Sequence, residues 1–148
     1  MQKFFKLTSL LIAMGLFTSY TNKEETFSLT VQVTDLRNSK GVVQFALYNK
    51  DGTIPDKKFS KTFKLLKMVI EDGRSKVTFI QLPKGKYAVN IFHDENNDGK
   101  IKKGLIFPRE GIGFSNYTSI GLSHKPSFKN ASFNIQNDST IKIKMIYM

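Results

Sequence analysis

Residues 93–100 read His93-Asp94-Glu95-Asn96-Asn97-Asp98-Gly99-Lys100, with an oxygen-bearing side chain at every second position and then a glycine. That is the front half of a calcium loop. Asp94, Asn96 and Asp98 supply side-chain oxygens, Gly99 the sharp turn and Lys100 its backbone carbonyl. The back half departs from the pattern: the twelfth position, where a bidentate Glu normally completes the shell, is Leu105, and Lys102 and Lys103 bring in positive charge. Calcium takes about six to eight oxygens, so further ligands are needed. Glu110 is the nearby carboxylate that could return across the chain, with water filling the remainder. With Lys100, Lys102, Lys103 and Arg109 adjacent, the expected affinity is no better than roughly 10⁻⁴ to 10⁻³ M. The same side chains have a plainer use. Short polar residues at this spacing form Asx turns that cap a strand end and satisfy local N–H groups.

Other constellations are thinner. His93 and His124 are the two histidines, and with Asp94 they could bind zinc or copper, but such sites normally take three or four ligands and the chain has no cysteine. At a strand end, His93 alone reads as a hydrogen-bonded structural residue. Ser115 and His124 could form a nucleophile and base if the chain brought them together, although no Gly-x-Ser-x-Gly is present. Asp94, Asp98 and Glu110 could furnish the two carboxylates of a glycoside hydrolase. The run Gly111-Ile112-Gly113-Phe114-Ser115-Asn116 has the glycines of a phosphate loop without its following Lys, and reads instead as a place where the backbone turns sharply and Phe114 plugs a core.

The elements that must position these residues are strands. Phe27, Leu29, Val31 and Val33 alternate with Ser28, Thr30 and Gln32, the period of a half-buried strand. Turn signals then punctuate similar segments: residues 38–41 before a strand at 42–48, and 49–52 after it. Strands at 64–70 and 76–80 flank Glu71-Asp72-Gly73-Arg74 as a hairpin candidate. Pro83-Lys84-Gly85 leads into a strand at 87–92, and 132–135 with 140–147 form a second hairpin candidate. Residues 55–61 suggest a short helix or loop. Residues 94–126 form a long excursion holding five glycines, and its Ile106, Phe107, Ile112 and Phe114 argue that it folds back over one end of the domain. About seven short strands with turns between them describe an all-β, antiparallel β-sandwich, immunoglobulin-like or transthyretin-like. Thirteen phenylalanines supply most of its core.

Several of these strings together resemble a family. They are Leu82-Pro83-x-Gly85-x-Tyr87-Ala88-Val89 leading into the 93–100 run, then Pro108-x-Glu110-Gly111-x-Gly113-Phe114-Ser115-Asn116, and Pro126-x-Phe128-x-x-Ala131-x-Phe133. The chain resembles, over residues 27–147, the small exported bacterial proteins grouped as domain of unknown function two-one-four-one. The Leu-Pro-x-Gly-x-Tyr element is also similar to a hairpin of transthyretin-like modules, which serve mostly as stalks, spacers and binding modules. The resemblance implies an exported β-sandwich and no particular activity. Lys102 stands where that family more usually has an Asp.

Compartment and charge complete the reading. Lys3 and Lys6 precede an apolar run at 7–17, the pattern of a secretory signal peptide over 1–21, leaving a domain at 22–148. That run of about eleven residues is shorter than the roughly twenty needed to span a bilayer, so no transmembrane segment is expected after cleavage. The absence of cysteine means that no disulfide helps an exported domain of this size, which fits a bacterial envelope protein, periplasmic, at the outer surface or extracellular. Loss of Lys3 and Lys6 takes the formal charge from +11 to +9. Arginines are limited to Arg37, Arg74 and Arg109, and the lysines are scattered, which argues against nucleic acid as a partner. The expectation is a non-enzymatic exported binding or structural module, with an envelope protein or glycan as partner and a weak calcium-stabilised loop at Asp94, Asn96, Asp98, Lys100 and Glu110. The alternatives are a metal-dependent glycan-binding or hydrolytic protein using Asp94, Asp98 and Glu110, and a polyanion-binding basic surface.

Overall fold

The computed structural model describes residues 24–101 and 110–148; the expected signal peptide at 1–21 and residues 102–109 of the excursion lie outside them. Strands β1 (Thr26–Thr34), β2 (Val42–Tyr48), β3 (Lys64–Met68), β4 (Ser75–Pro83), β5 (Gly85–Asp94) and β6 (Ile112–Phe114) are followed by a one-turn helix α1 (Phe128–Ala131) and strands β7 (Phe133–Ile135) and β8 (Ser139–Lys144). A smaller sheet runs β4-β1-β8, and a larger one runs β3-β2-β5-β6 with β7 also paired to β5. The alternation of β1 is what makes it a central strand. Leu29, Val31 and Val33 face inward and are buried, while Thr30 on the other face meets Thr78 of β4 at 2.9 Å.

The core between the sheets joins those β1 residues to Val43, Phe45 and Leu47 of β2, Val77 and Phe79 of β4, Val89 and Ile91 of β5, and Ile143 of β8. Each such side chain contributes about 1.5–3 kcal/mol when fully buried. The larger sheet is covered on its outer face too. The register places Ala46 opposite Asn90, Gln44 opposite Phe92, Phe114 opposite Asn90 and Ile112 opposite Phe92, so these share that face. Phe92, Ile112 and Phe114 there pack with Ile54, Phe59, Phe128 and Ala131 in a second apolar cluster. Ile112 and Phe114 of the excursion belong to this cluster, on the outer face of the larger sheet and not over an end of the domain, and Ile106 and Phe107 lie outside the described residues.

Several expectations are corrected in detail. The architecture itself is the all-β sandwich expected; eight strands are present among the described residues, and one pair, β1 with β8, runs parallel. Glu71 and Arg74 do close a tight turn, but β3 pairs with β2 and β4 with β1. The turn therefore carries the chain from one sheet to the other instead of making a hairpin. The second hairpin candidate separates in the same way: β7 joins β5 and β8 joins β1. The excursion holds a strand of its own, β6, and residues 55–61 are turns organised by Asp56, which accepts from Lys61 N at 2.7 Å. Residues 55–61 thus take the loop alternative, and a one-turn helix lies at 128–131, with Ser127 as its N-cap.

On the β6 side the two sheets are stitched together by a bridge between Ile112 and Ile146. Gly113 permits it, since a Cβ there would lie 2.4 Å from the Lys144 carbonyl oxygen.

Candidate functional site at the end of strand β5

Asp94 is the last residue of β5 and is fully buried. Its carboxylate gathers the loop that follows. Oδ1 accepts from Asp98 N (3.1 Å), and Oδ2 accepts from Gly99 N (2.9 Å) and from Gln44 Nε2 of β2 (2.8 Å). Asn96 Oδ1 also accepts from Asp98 N (3.0 Å), and Asp98 Oδ1 accepts from Lys100 N (2.9 Å). Asn97 and Gly99 take the positive φ values, 58° and 68°, that curl the chain into this cup. These bonds are the Asx-turn pattern, with Asp94 tying the loop to the sheet through Gln44.

Glu110 re-enters beside the cup. Its Oε1 accepts from Glu95 N (3.0 Å), whereas its Oε2 is buried and meets no donor. Burial pushes the Glu110 carboxyl above the usual carboxylate range; the Glu95 N–H opposes that, and the charges of Asp94, Asp98 and Glu95 add to it. Glu95 behaves in the opposite way. It receives both Arg37 Nε (2.8 Å) and Arg37 Nη2 (2.5 Å), together with Asn38 Nδ2 (2.6 Å). The Arg37 hydrogen bonds hold its carboxyl down at about 2.

His93 has both ring nitrogens engaged. Nε2 lies 2.9 Å from the Lys40 carbonyl oxygen and Nδ1 lies 2.7 Å from the Tyr147 hydroxyl. A carbonyl can only accept, which places a proton on Nε2; in the neutral imidazole Nδ1 is then the acceptor from Tyr147. The Tyr147 oxygen in turn accepts from Arg37 N (3.1 Å), and the Arg37 guanidinium sits 4.7 Å from the Tyr147 ring centroid. Gly41 lets the 38–41 turn lie against this end of β5: at φ +68°, a Cβ there would come within 1.9 Å of the Asp94 carbonyl oxygen.

Asp94, Asn96 and Asp98 thus share one loop with the Lys100 backbone, and Glu110 adjoins it. Among the described residues, no three His, Asp or Glu side chains converge as a group able to enclose a metal ion. The oxygens therefore fit calcium in part, with Glu110 Oε2 the buried oxygen that lacks a donor. Ser115 and His124 do not form a dyad. Ser115 is buried, accepting from Val89 N and donating to the Ala131 carbonyl (2.6 Å), while His124 is exposed. Lys102, Lys103, Leu105 and Arg109 lie outside the described residues. Gln44, Arg37, Asn38 and Tyr147 were not visible as site residues in the sequence, because they lie some fifty residues away and only the β2–β5 pairing and the C-terminal tail bring them in.

Residues 31–143 match the family described as an uncharacterized protein conserved in bacteria (DUF2141). The chain belongs to that family. No curated protein and no solved structure matches it. Family membership covers every residue of the Asp94 loop and Glu110, and the family description assigns none of them a role. No helix of the described residues is long and apolar enough to cross a membrane.

Proposed function

We propose that this DUF2141 protein is a non-enzymatic module exported to the bacterial envelope, working by presenting a surface to a partner instead of transforming a substrate. One observation supports this above others: three of the side chains that could do chemistry are spent on holding the fold. Asp94, His93 and Ser115 are buried with their polar atoms paired to backbone groups or to neighbouring side chains. A general base or nucleophile must reach a reacting atom, and none of these three does. Export rests on Lys3, Lys6 and the apolar run at 7–17. It predicts that osmotic shock releases the protein from a Gram-negative host, with an intact mass that begins between residues 19 and 25. Full-length protein retained in the cytosol would refute it.

A second reading is carried by Glu110. A buried carboxylate oxygen with no donor is costly unless a proton or cation meets it. Calcium held by Asp94, Asn96, Asp98, the Lys100 carbonyl and Glu110 would meet it and would brace the loop. Titration calorimetry should then show binding with Kd in the range of roughly 10⁻⁴ to 10⁻³ M, together with a calcium-dependent rise in melting temperature. Glu110→Gln should abolish both. Unchanged heats and midpoints on addition of calcium would end this reading and leave the Asx turn as the loop's whole purpose.

A further inference from the structure

Strand β3 ends the larger sheet, with a hydrogen-bonded neighbour on the β2 side alone among the described residues. Every second residue of such a strand turns its N–H and C=O outward, ready to pair with another chain. The strand and its flanks are also unusually apolar for an edge: Phe63 (40%), Leu65 (38%), Leu66 (38%), Met68 (37%) and Val69 (61%) are all exposed. Single exposed apolar residues are ordinary, but five within seven positions on an unpaired edge mark an interaction surface. The other sheet comes near this edge where Lys64 Nζ donates to the Ile80 carbonyl oxygen of β4 (2.6 Å) and where Ser75 Oγ of β4 donates to the Val69 carbonyl oxygen (2.9 Å), and Ile80 is itself exposed. The β6 side is bridged backbone to backbone by Ile112 and Ile146, whereas the β3–β4 side is joined by side chains and the 71–74 turn, which leaves the outer edge of β3 unpaired among the described residues.

The charge of this edge selects its occupant. Between Asp56 and Glu71 the chain carries Lys57, Lys58, Lys61, Lys64 and Lys67 and no acid. Edge lysines are a familiar guard against pairing with a second copy, since two such strands laid side by side would oppose lysine-rich segments at close range. The same lysines attract a strand of opposite charge. We propose that β3 is a docking edge for an extended segment of a partner protein in which acidic and apolar residues alternate, added to the larger sheet as its next strand. Its backbone would complete the ladder, its apolar residues would lie on the inner face beside Leu66 and Met68, and its carboxylates, on the opposite face, would meet Lys67.

The test uses the purified chain with two capped peptides, one alternating glutamate and valine and the other lysine and valine. Binding of the acidic peptide should shift the amide resonances of residues 63–69 and slow their hydrogen exchange, and it should weaken with added salt. Reversing the edge with Lys64→Glu and Lys67→Glu should exchange the preference, lowering affinity for the acidic peptide by about tenfold or more and raising it for the basic one. Leu66→Ser, which leaves the charge of the edge unaltered, should, at an unchanged unfolding midpoint, weaken the acidic peptide through lost apolar cover. The proposal is overturned if residues 63–69 respond to neither peptide, if both peptides bind equally, or if the same amides are protected instead by a concentration-dependent dimer of the chain.

Discussion

Asp94 earns its position through geometry that a carboxylate alone supplies: two oxygens meet two backbone N–H groups four and five residues ahead, and one of them also takes a side-chain amide from the neighbouring strand. Asp94→Ala leaves the Gln44 amide and two loop N–H groups without their acceptor. The expected cost is about 2–4 kcal/mol, read as a lower denaturant midpoint with unchanged slope. Asp94→Asn should cost less, because one carbonyl oxygen still caps the loop while the new NH₂ faces a donor. At this scale the sequence is informative about local partners. The spacing of Asp94, Asn96 and Asp98 announces an Asx cup, and Gly99 announces its turn. It is silent about Gln44, Arg37 and Tyr147, since no local pattern encodes a contact made across strands. It is equally silent about Glu110 Oε2, whose burial depends on how the chain returns.

At the scale of elements, the end of β5 and the turn at 38–41 are bound by charges with opposed responses to pH. The Glu95 carboxyl, held down at about 2 by Arg37 from an ordinary 4.5, contributes stability that is fully present above 4.5 and is lost as pH falls toward 2. Glu110 has the reverse sign: its carboxyl is raised, so the folded state is favoured while it is protonated and loses that advantage as pH rises through its folded value. Thermal midpoints followed against pH separate the two. Glu95→Gln should flatten the acid limb below 4.5, whereas calcium-free Glu110→Gln should raise the midpoint at neutral pH and lose that gain in acid. The strands themselves are legible from alternation, as β1, β2 and β5 demonstrate. Their pairing is not: residues 64–70 and 76–80 have a hairpin's turn chemistry and still pass to different sheets, β3 pairing with β2 and β4 with β1, contacts that no local pattern encodes. The three residues of β6 are too few to show a period, and the glycines beside them read as loop.

For the whole molecule, two sheets enclose one core and the returning chain builds a second against the outer face of the larger sheet. Such double cover leaves one flank of that sheet, at β3, where apolar and basic side chains meet solvent. A body of this kind suits recognition: it is held without disulfides, it exposes an edge, and its polar groups near Asp94 serve as internal ties. The competing account, a hydrolase built on Asp94, Asp98 and Glu110, makes a different demand, namely that those acids act on a glycan. The direct measurement is therefore mass spectrometry of isolated peptidoglycan and envelope glycans incubated with the purified protein and calcium, beside its Glu110→Gln variant. Fragment profiles indistinguishable from the buffer control are the expected result. New reducing ends that accumulate with time under the unaltered protein, and are missing with Glu110→Gln, would contradict a module that binds without reacting.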